Sequence, residues 1–334
     1  MKIEKLFMGL LILSSVSYST QSLVEKAKEN NLLAIPEDKT ELYKIIDPKG
    51  LLTPQKVLLG KKLFFEPRLS KASDISCATC HDLGTGGDDN IPVATGHKGG
   101  KNPFHLNSPT VFNAVFFDRQ FWDGRSPDLE DQAKGPIQAG VEMAATPALV
   151  EERVNAIPQY VKEFKEVYGK DVKIDFDLVT STIGAFERTL VTPSRFDDFL
   201  NGKNNALTKE EKQGLNTFID KGCTGCHKGI GIGGSMQPFD VAAEFKFSKV
   251  GGFKGGKGGL IKVGTLRNIT QTAPYFHNGT FDKLENVVKE MARIQLGIKI
   301  TQKEVDSILL FLNTLDGRKS NTEKPELPKD ILKK

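Results

Sequence analysis

At 334 residues, with 38% hydrophobic and 26% charged side chains, the chain is globular in composition and long enough for two ordinary domains. Its formal net charge of +4 is too small and too dispersed to argue for nucleic acid, although Lys101, Lys228, Lys254 and Lys257 fit docking of an acidic partner. No apolar run approaches the roughly 20 residues needed to cross a bilayer, so stable membrane insertion is not expected.

In chain order, Lys2 and Lys5, the apolar run Leu6 to Leu13 and the small residues Ser17 and Ser19 predict a secretory signal over residues 1–19. Residues 20–50 read as an arm or short helix. Thr53-Pro54 opens a helix through Val57, Leu58, Gly60 and Phe64, with Thr as cap and Pro in the first turn. Thr208, with Glu211 three residues on, opens another by a capping box, and Gly214 and Phe218 repeat the spacing of Gly60 and Phe64. Each helix leads into a C-x-x-C-H pentapeptide: Cys77-Ala78-Thr79-Cys80-His81 and Cys223-Thr224-Gly225-Cys226-His227. Beyond them, Val179, Ile183, Phe186 and Leu190 form one helical stripe. Val305, Ile308, Leu309 and Leu312 form another, capped by Thr301 with Glu304.

A C-x-x-C-H in an exported chain reads as attachment of a c-type haem. The two thiols add across the vinyl groups, and the next imidazole ligates the iron. Two copies use all 4 cysteines, so no disulfide is expected, and a four-cysteine zinc site would not explain a His directly after each pair. The expected fold class is mainly α: two cytochrome c-like haem domains in tandem with Gly-rich loops. The first would span residues 20–192 and the second 193–316, linked at Thr192-Pro193-Ser194, with a polar tail over 317–334. Export points to the periplasm, since c-type haem is attached outside the bacterial cytoplasm. Gly251 to Lys257 has the spacing of a phosphate loop, but Gly258 replaces the required Ser or Thr, and that reading is rejected.

Each iron needs its sixth position explained, because a carrier fills both axial sites and a peroxidase needs one that opens. Of the 5 histidines, His97, His105 and His277 remain. His97 lies in a Gly-rich loop able to fold back over the first haem; spacing alone leaves it open between ligand and solvated loop residue. Met291 is the best-placed soft ligand for the second haem, ahead of Met143 and Met236, with core packing as the other reading. Taken alone, Glu142 would be a solvated surface residue and Trp122 a core aromatic. His105 reads as structural.

The stretches Asn107-Ser-Pro-Thr-Val-Phe-Asn-Ala, Phe121-Trp122-Asp123-Gly124-Arg125, Gln132, Val141-Glu142-Met143 and Ala185-Phe-Glu-Arg-Thr-Leu resemble the bacterial di-haem cytochrome c peroxidases. So do Thr265-Leu266-Arg267-Asn268, Tyr275-Phe276-His277-Asn278-Gly279 and Met291 with Gln295-Leu296-Gly297, across about residues 50–316. The resemblance implies that His81 and His97 are the axial pair of a low-potential, peroxidatic haem. His227 and Met291 would be the pair of a high-potential, electron-entry haem. It further implies Glu142 as distal acid/base, Gln132 lining the same pocket and Trp122 between the haems. A calcium ion would be held at the domain interface by Asn107 and the backbone oxygens of Thr272 and Pro274; His277 receives no ligand role.

The implied function is reduction of hydrogen peroxide to water with electrons from a small cytochrome c or similar carrier, in a chain that can form a homodimer. A carboxylate such as Glu142 suits this chemistry, since it can take a proton from one peroxide oxygen and return it to the other. A non-catalytic di-haem electron-transfer cytochrome is the alternative. A related di-haem oxidase that modifies a partner protein carries Tyr where Met291 stands.

Overall fold

Two crossed helix pairs, built from the same residues twice, carry the architecture. The computed structural model describes residues 22–239, 245–247 and 249–329. The expected signal, residues 1–19, lies outside the described residues. Among these, the helices are α1 Leu23–Glu29, α2 Lys39–Ile46, α3 Pro54–Phe64, α4 Cys77–Cys80, α5 Leu129–Gln132, α6 Lys134–Gln138, α7 Pro147–Asn155, α8 Pro158–Tyr168, α9 Phe176–Glu187, α10 Arg195–Leu200, α11 Lys209–Asp220, α12 Leu284–Ile294 and α13 Gln302–Asn313. A single antiparallel strand pair, β1 Met236–Pro238 with β2 Leu260–Lys262, is the sheet found among the described residues. The fold is mainly α, as expected.

The caps form as the sequence requires. Thr53 Oγ1 accepts the Lys56 N–H at 3.2 Å, and the reciprocal Thr208–Glu211 and Thr301–Glu304 boxes both close. Glycine then sets the helix crossings. A Cβ on Gly60 of α3 would lie 2.1 Å from the Thr182 carbonyl of α9, and one on Gly214 of α11 would lie 2.1 Å from the Ser307 carbonyl of α13. Only a bare Cα lets the two backbones come that close. One turn on, Phe64 meets Phe186 with ring centroids 5.4 Å apart, and Phe218 meets Phe311 at 5.2 Å. Each crossing seeds its own apolar cluster. One runs from Leu59 to Leu190 and contains Phe64, Tyr160 and Phe186; the other contains Phe196, Leu215, Phe218, Phe311 and Leu315.

One residue departs from its sequence reading, and two segments make contacts that the sequence did not show. The arm at residues 20–50 forms α1 and α2, and Ala27 and Leu32 pack into the second cluster, with Lys26 Nζ 2.6 Å from Asn216 Oδ1. Leu190, expected on the first closing helix, lies past the end of α9, yet it is buried and its carbonyl accepts the Asn113 N–H at 2.8 Å. Residues 319–328 of the polar tail lie along the first half. Lys319 donates to the Thr85 carbonyl, Lys61 Nζ to Asn321 Oδ1 at 2.7 Å, and Arg68 Nη2 to the Pro328 carbonyl at 3.0 Å.

Thr192-Pro193-Ser194 is a buried node, with Thr192 and Ser194 both 0% exposed. Thr192 Oγ1 accepts Asn113 Nδ2 at 2.8 Å and Asn268 Nδ2 at 2.9 Å. These two asparagines are equivalent: both have left-handed backbone (φ 62° and 58°), and Asn268 N–H donates to the Leu315 carbonyl as Asn113 N–H does to Leu190. Nearby, Asp197 accepts two bonds from Arg267, each 2.8 Å, and also the Ile35 N–H at 2.7 Å. Burial alone would raise the Asp197 carboxyl, but the Arg267 charge and its hydrogen bonds hold it below its ordinary value.

Candidate haem sites

The first pentapeptide forms α4, with Thr79 Oγ1 accepting the Ser76 N–H at 3.0 Å. His81 follows directly, its Nδ1 3.3 Å from the Gly87 carbonyl. With the proton held on Nδ1 by that carbonyl, the Nε2 lone pair is free for a metal. Burial pushes the His81 pKa down to about 4, so the ring is neutral, as ligation requires. Burial also raises the Cys77 thiol and pushes Cys80 up to about 12 and Cys223 up to about 11. Such thiols are neither reactive thiolates nor, in this structure, disulfides.

His97 sits in a tight loop closed by Gly96 N–H to the Gly100 carbonyl at 2.8 Å. Lys98 and Gly99 both take positive φ there, 54° and 76°. The loop lies directly on the backbone of the Glu142 segment: His97 N–H donates to the Glu142 carbonyl at 2.7 Å, and a Cβ on Gly96 would sit 2.0 Å from the Val141 carbonyl. His97 Nδ1 is buried without a hydrogen-bond partner. Burial raises the Glu142 carboxyl above its ordinary value, and the Arg125 charge opposes the rise. Glu142 is near enough to the first pentapeptide for its charge to contribute to the raised pKa of Cys80. Gln132 ends α5 and is joined to Glu142 through α6.

The second pentapeptide borders a cavity of about 430 Å³. Cys223, Cys226 and His227 line it, and so does Met291 from α12. Its walls are largely apolar, with Phe218, Leu266, Val288 and Ile308 among them. Burial pushes His227 down to about 4, so this imidazole is also neutral. Two thiols at one rim, a neutral imidazole, a thioether and apolar walls fit a haem ligated by His and Met. Among the described residues no three His, Cys, Asp or Glu side chains are grouped so that they could hold a metal ion, so the two cysteine pairs do not meet at one site. A four-cysteine zinc site therefore has no geometry here.

Trp122, Asn107, Thr272 and Pro274 line this same cavity. Trp122 Nε1 donates to the Asn107 carbonyl at 2.9 Å, and Asn107 N–H donates to the His277 carbonyl at 2.8 Å. The Asn107 side-chain amide donates to the Ile91 carbonyl at 2.9 Å, which leaves its oxygen as the group suited to a hard cation. His277 is enclosed by Trp122, Phe239, Phe245 and Phe253, and burial pushes it down to about 4. His105 Nδ1 is buried without a partner.

Sequence reasoning passed over three buried titratable groups. Asp88 and Glu187 are pushed up to about 7 and about 8, burial being the main cause, and each has one carboxylate oxygen without a hydrogen-bond partner. Lys262 is pushed down to about 8 by burial. Asp88 lies among glycines and a second acid that read as solvated surface, and Lys262 is a single charge in a short apolar run, which reads as the outward position of a strand. Glu187 does sit inside one of the recognised motifs, but nothing local marks it as buried.

A family model described as di-haem cytochrome c peroxidase matches residues 54–205. Over 307 residues the chain is 44% identical to the cytochrome c551 peroxidase of Pseudomonas aeruginosa, covering 88% of this chain and 86% of that protein. It is 43% identical to the cytochrome c551 peroxidase of Nitrosomonas europaea, covering 85% and 87%. Among solved structures, a MauG-like protein associated with microbial copper homeostasis superposes with a TM-score of 0.67 at 25% identity, over 80% of this chain and 90% of that one. The chain therefore belongs to the di-haem cytochrome c peroxidase family and is an oxidoreductase of that class.

Proposed function

We propose that the protein reduces hydrogen peroxide to water in the periplasm, with two electrons and two protons per peroxide, taking the electrons singly from a small cytochrome c or similar carrier. The observation that carries this reading is that Met291 shares one apolar cavity with Cys223, Cys226 and His227. A thioether there suits a high-potential site for accepting electrons, and Met in place of Tyr argues against the partner-modifying oxidase.

The haems, when bound, supply the iron that takes peroxide and the relay for single electrons. Cys77 and Cys80 would hold the peroxidatic haem covalently with His81 as its proximal ligand; Cys223 and Cys226 would hold the other with His227 and Met291. His97 would be the displaceable ligand at the first site. Glu142 would take a proton from one peroxide oxygen and return it to the other, making that oxygen a leaving water, while the two electrons and two further protons convert the remaining oxygen to the second water. Its raised pKa makes it a better donor than a solvated carboxylate. Gln132 helps to line that pocket. Trp122 would lie between the sites, and Asn107 with the carbonyls of Thr272 and Pro274 would hold calcium. The first haem domain is taken as residues 20–192 and the second as 193–316, and the chain is proposed to assemble as a homodimer.

The test is oxidation of a reduced small cytochrome c on adding peroxide, beside the intact mass of the exported protein. Turnover with a mass equal to the chain from near Thr20 plus two haems is expected. A doubly loaded protein that passes electrons but leaves peroxide untouched would favour the non-catalytic electron-transfer cytochrome.

A further inference from the structure

Lys262 is a buried cation facing space in which the described residues place no counter-charge. It ends β2, where pairing with Met236 and a 2.8 Å bond from its N–H to the Trp122 carbonyl fix the backbone. Its side chain is 4% exposed and lines the cavity shared by Cys223, Cys226, His227 and Met291. The ammonium lies 4.9 Å from the centroid of the Phe117 ring. Among the described residues no carboxylate comes within ion-pairing distance of it. The acid it senses electrostatically is Asp123, which is itself paired with Arg125 at 2.9 Å.

An ammonium buried without an anion is costly, and one aromatic face recovers only part of that cost. The cavity therefore calls for an anion at its Lys262 wall. A haem brings two propionate carboxylates on one edge of an otherwise apolar ring, which is the chemistry this wall lacks.

We infer that Lys262 is the counter-ion of a propionate on the haem carried by Cys223 and Cys226, and that it positions that haem and raises its potential. The inference rests on the reading of the cavity as the second haem site. A fixed positive charge near the ring favours the reduced iron, which carries one positive charge fewer, so Lys262 and Met291 act in the same direction. Because the backbone of Lys262 is bonded to Trp122, the same contact would also register the propionate edge against the residue proposed to lie between the haems. Lys262 is a positioning residue; it touches neither peroxide nor iron.

The test is spectroelectrochemical titration of both haems in the holoenzyme for wild type, Lys262→Met, Lys262→Gln and Lys262→Arg, with haem counted independently. The midpoint of the thioether-ligated haem should fall in Lys262→Met and Lys262→Gln by more than the other midpoint, which the Lys262 charge also reaches through His81, and Lys262→Arg should stay near wild type. Unchanged midpoints in fully loaded Lys262→Met and Lys262→Gln would overturn the inference. So would a fall confined to the other haem, or an equal fall in Lys262→Arg. Fewer than two haems, or no thioether-ligated haem, in wild type would overturn the reading of the cavity itself, whatever the variants do.

Discussion

The N–H of His97 donates to the carbonyl of Glu142 at 2.7 Å, so the residue proposed to leave the iron and the residue proposed to carry the proton share a backbone bond. The loop cannot swing out without breaking that bond and releasing the Val141–Glu142 backbone against which Gly96 and Gly100 lie. Opening of the iron and rearrangement of the proton carrier are then one event. Three glycines within three residues of the ligand, Gly96, Gly99 and Gly100, make such a loop easy to refold. In His97→Gly the fully ferric protein should react with peroxide without prior reduction. Stopped-flow mixing of ferric wild type and variant with peroxide checks this; if both require an electron first, His97 is not the gate.

For Glu142, substitution by Gln keeps the size and a hydrogen-bonding group but abolishes proton transfer. Turnover should drop by roughly 10²-fold or more, while haem content holds. The pH profile gives an independent reading. The carboxylate form must be present to accept the first proton, and burial raises the pKa against the opposing Arg125 charge. Arg125→Gln removes that opposition, so the acid limb of the profile should move to higher pH. Steady-state rates across pH for the two variants are the measurement.

Met291→His exchanges a thioether for an imidazole on the wall of the second cavity. The potential of the haem held at Cys223 and Cys226 should fall, and with it turnover supported by a high-potential donor. Redox titration decides; an unchanged midpoint would mean that Met291 is not the ligand.

What the sequence made legible was local. Caps at Thr53, Thr208 and Thr301 and both pentapeptides are encoded within four or five residues, and the structure forms each of them. What it hid was pairing at a distance. Nothing near Thr192 says that Asn113 and Asn268, from opposite sides of it in the chain, share its hydroxyl. The same holds for Lys319, whose bonds to Thr85 and Gln271 turn an apparent polar tail into a strap. Lys262 was hidden for a different reason. A lone lysine in the short apolar run Leu260-Ile261-Lys262-Val263 has the alternation of a strand with one solvated face, and its burial is set by β1 and Trp122, which lie elsewhere in the chain.

The paired glycines offer a test of the repeated architecture that does not depend on catalysis. Neither Gly60 nor Gly214 has a backbone angle forbidden to alanine; both sit inside helices, where alanine is intrinsically favoured by about 1 kcal/mol. The crossings reverse that preference. An added methyl would meet the Thr182 carbonyl at one site and the Ser307 carbonyl at the other, both at 2.1 Å, and the Cβ of Phe186 or Phe311 within 3.0 Å. Main-chain carbonyls in a helix cannot turn aside, so the helices must separate and the Phe64–Phe186 or Phe218–Phe311 contact must loosen. Overpacking of this kind costs about 1–3 kcal/mol and occasionally more. Gly60→Ala and Gly214→Ala should therefore each lower the melting temperature by several degrees, at about 2–4 °C per kcal/mol for a chain of this order of size. The damage should also be separable: Gly60→Ala should perturb the spectrum of the haem at Cys77 and Cys80, and Gly214→Ala that of the haem at Cys223 and Cys226. Calorimetry with low-temperature spectra of the two variants checks both parts. If either alanine raised the melting temperature, helix propensity would have outweighed the crossing, and close backbone contact would not be what these glycines provide.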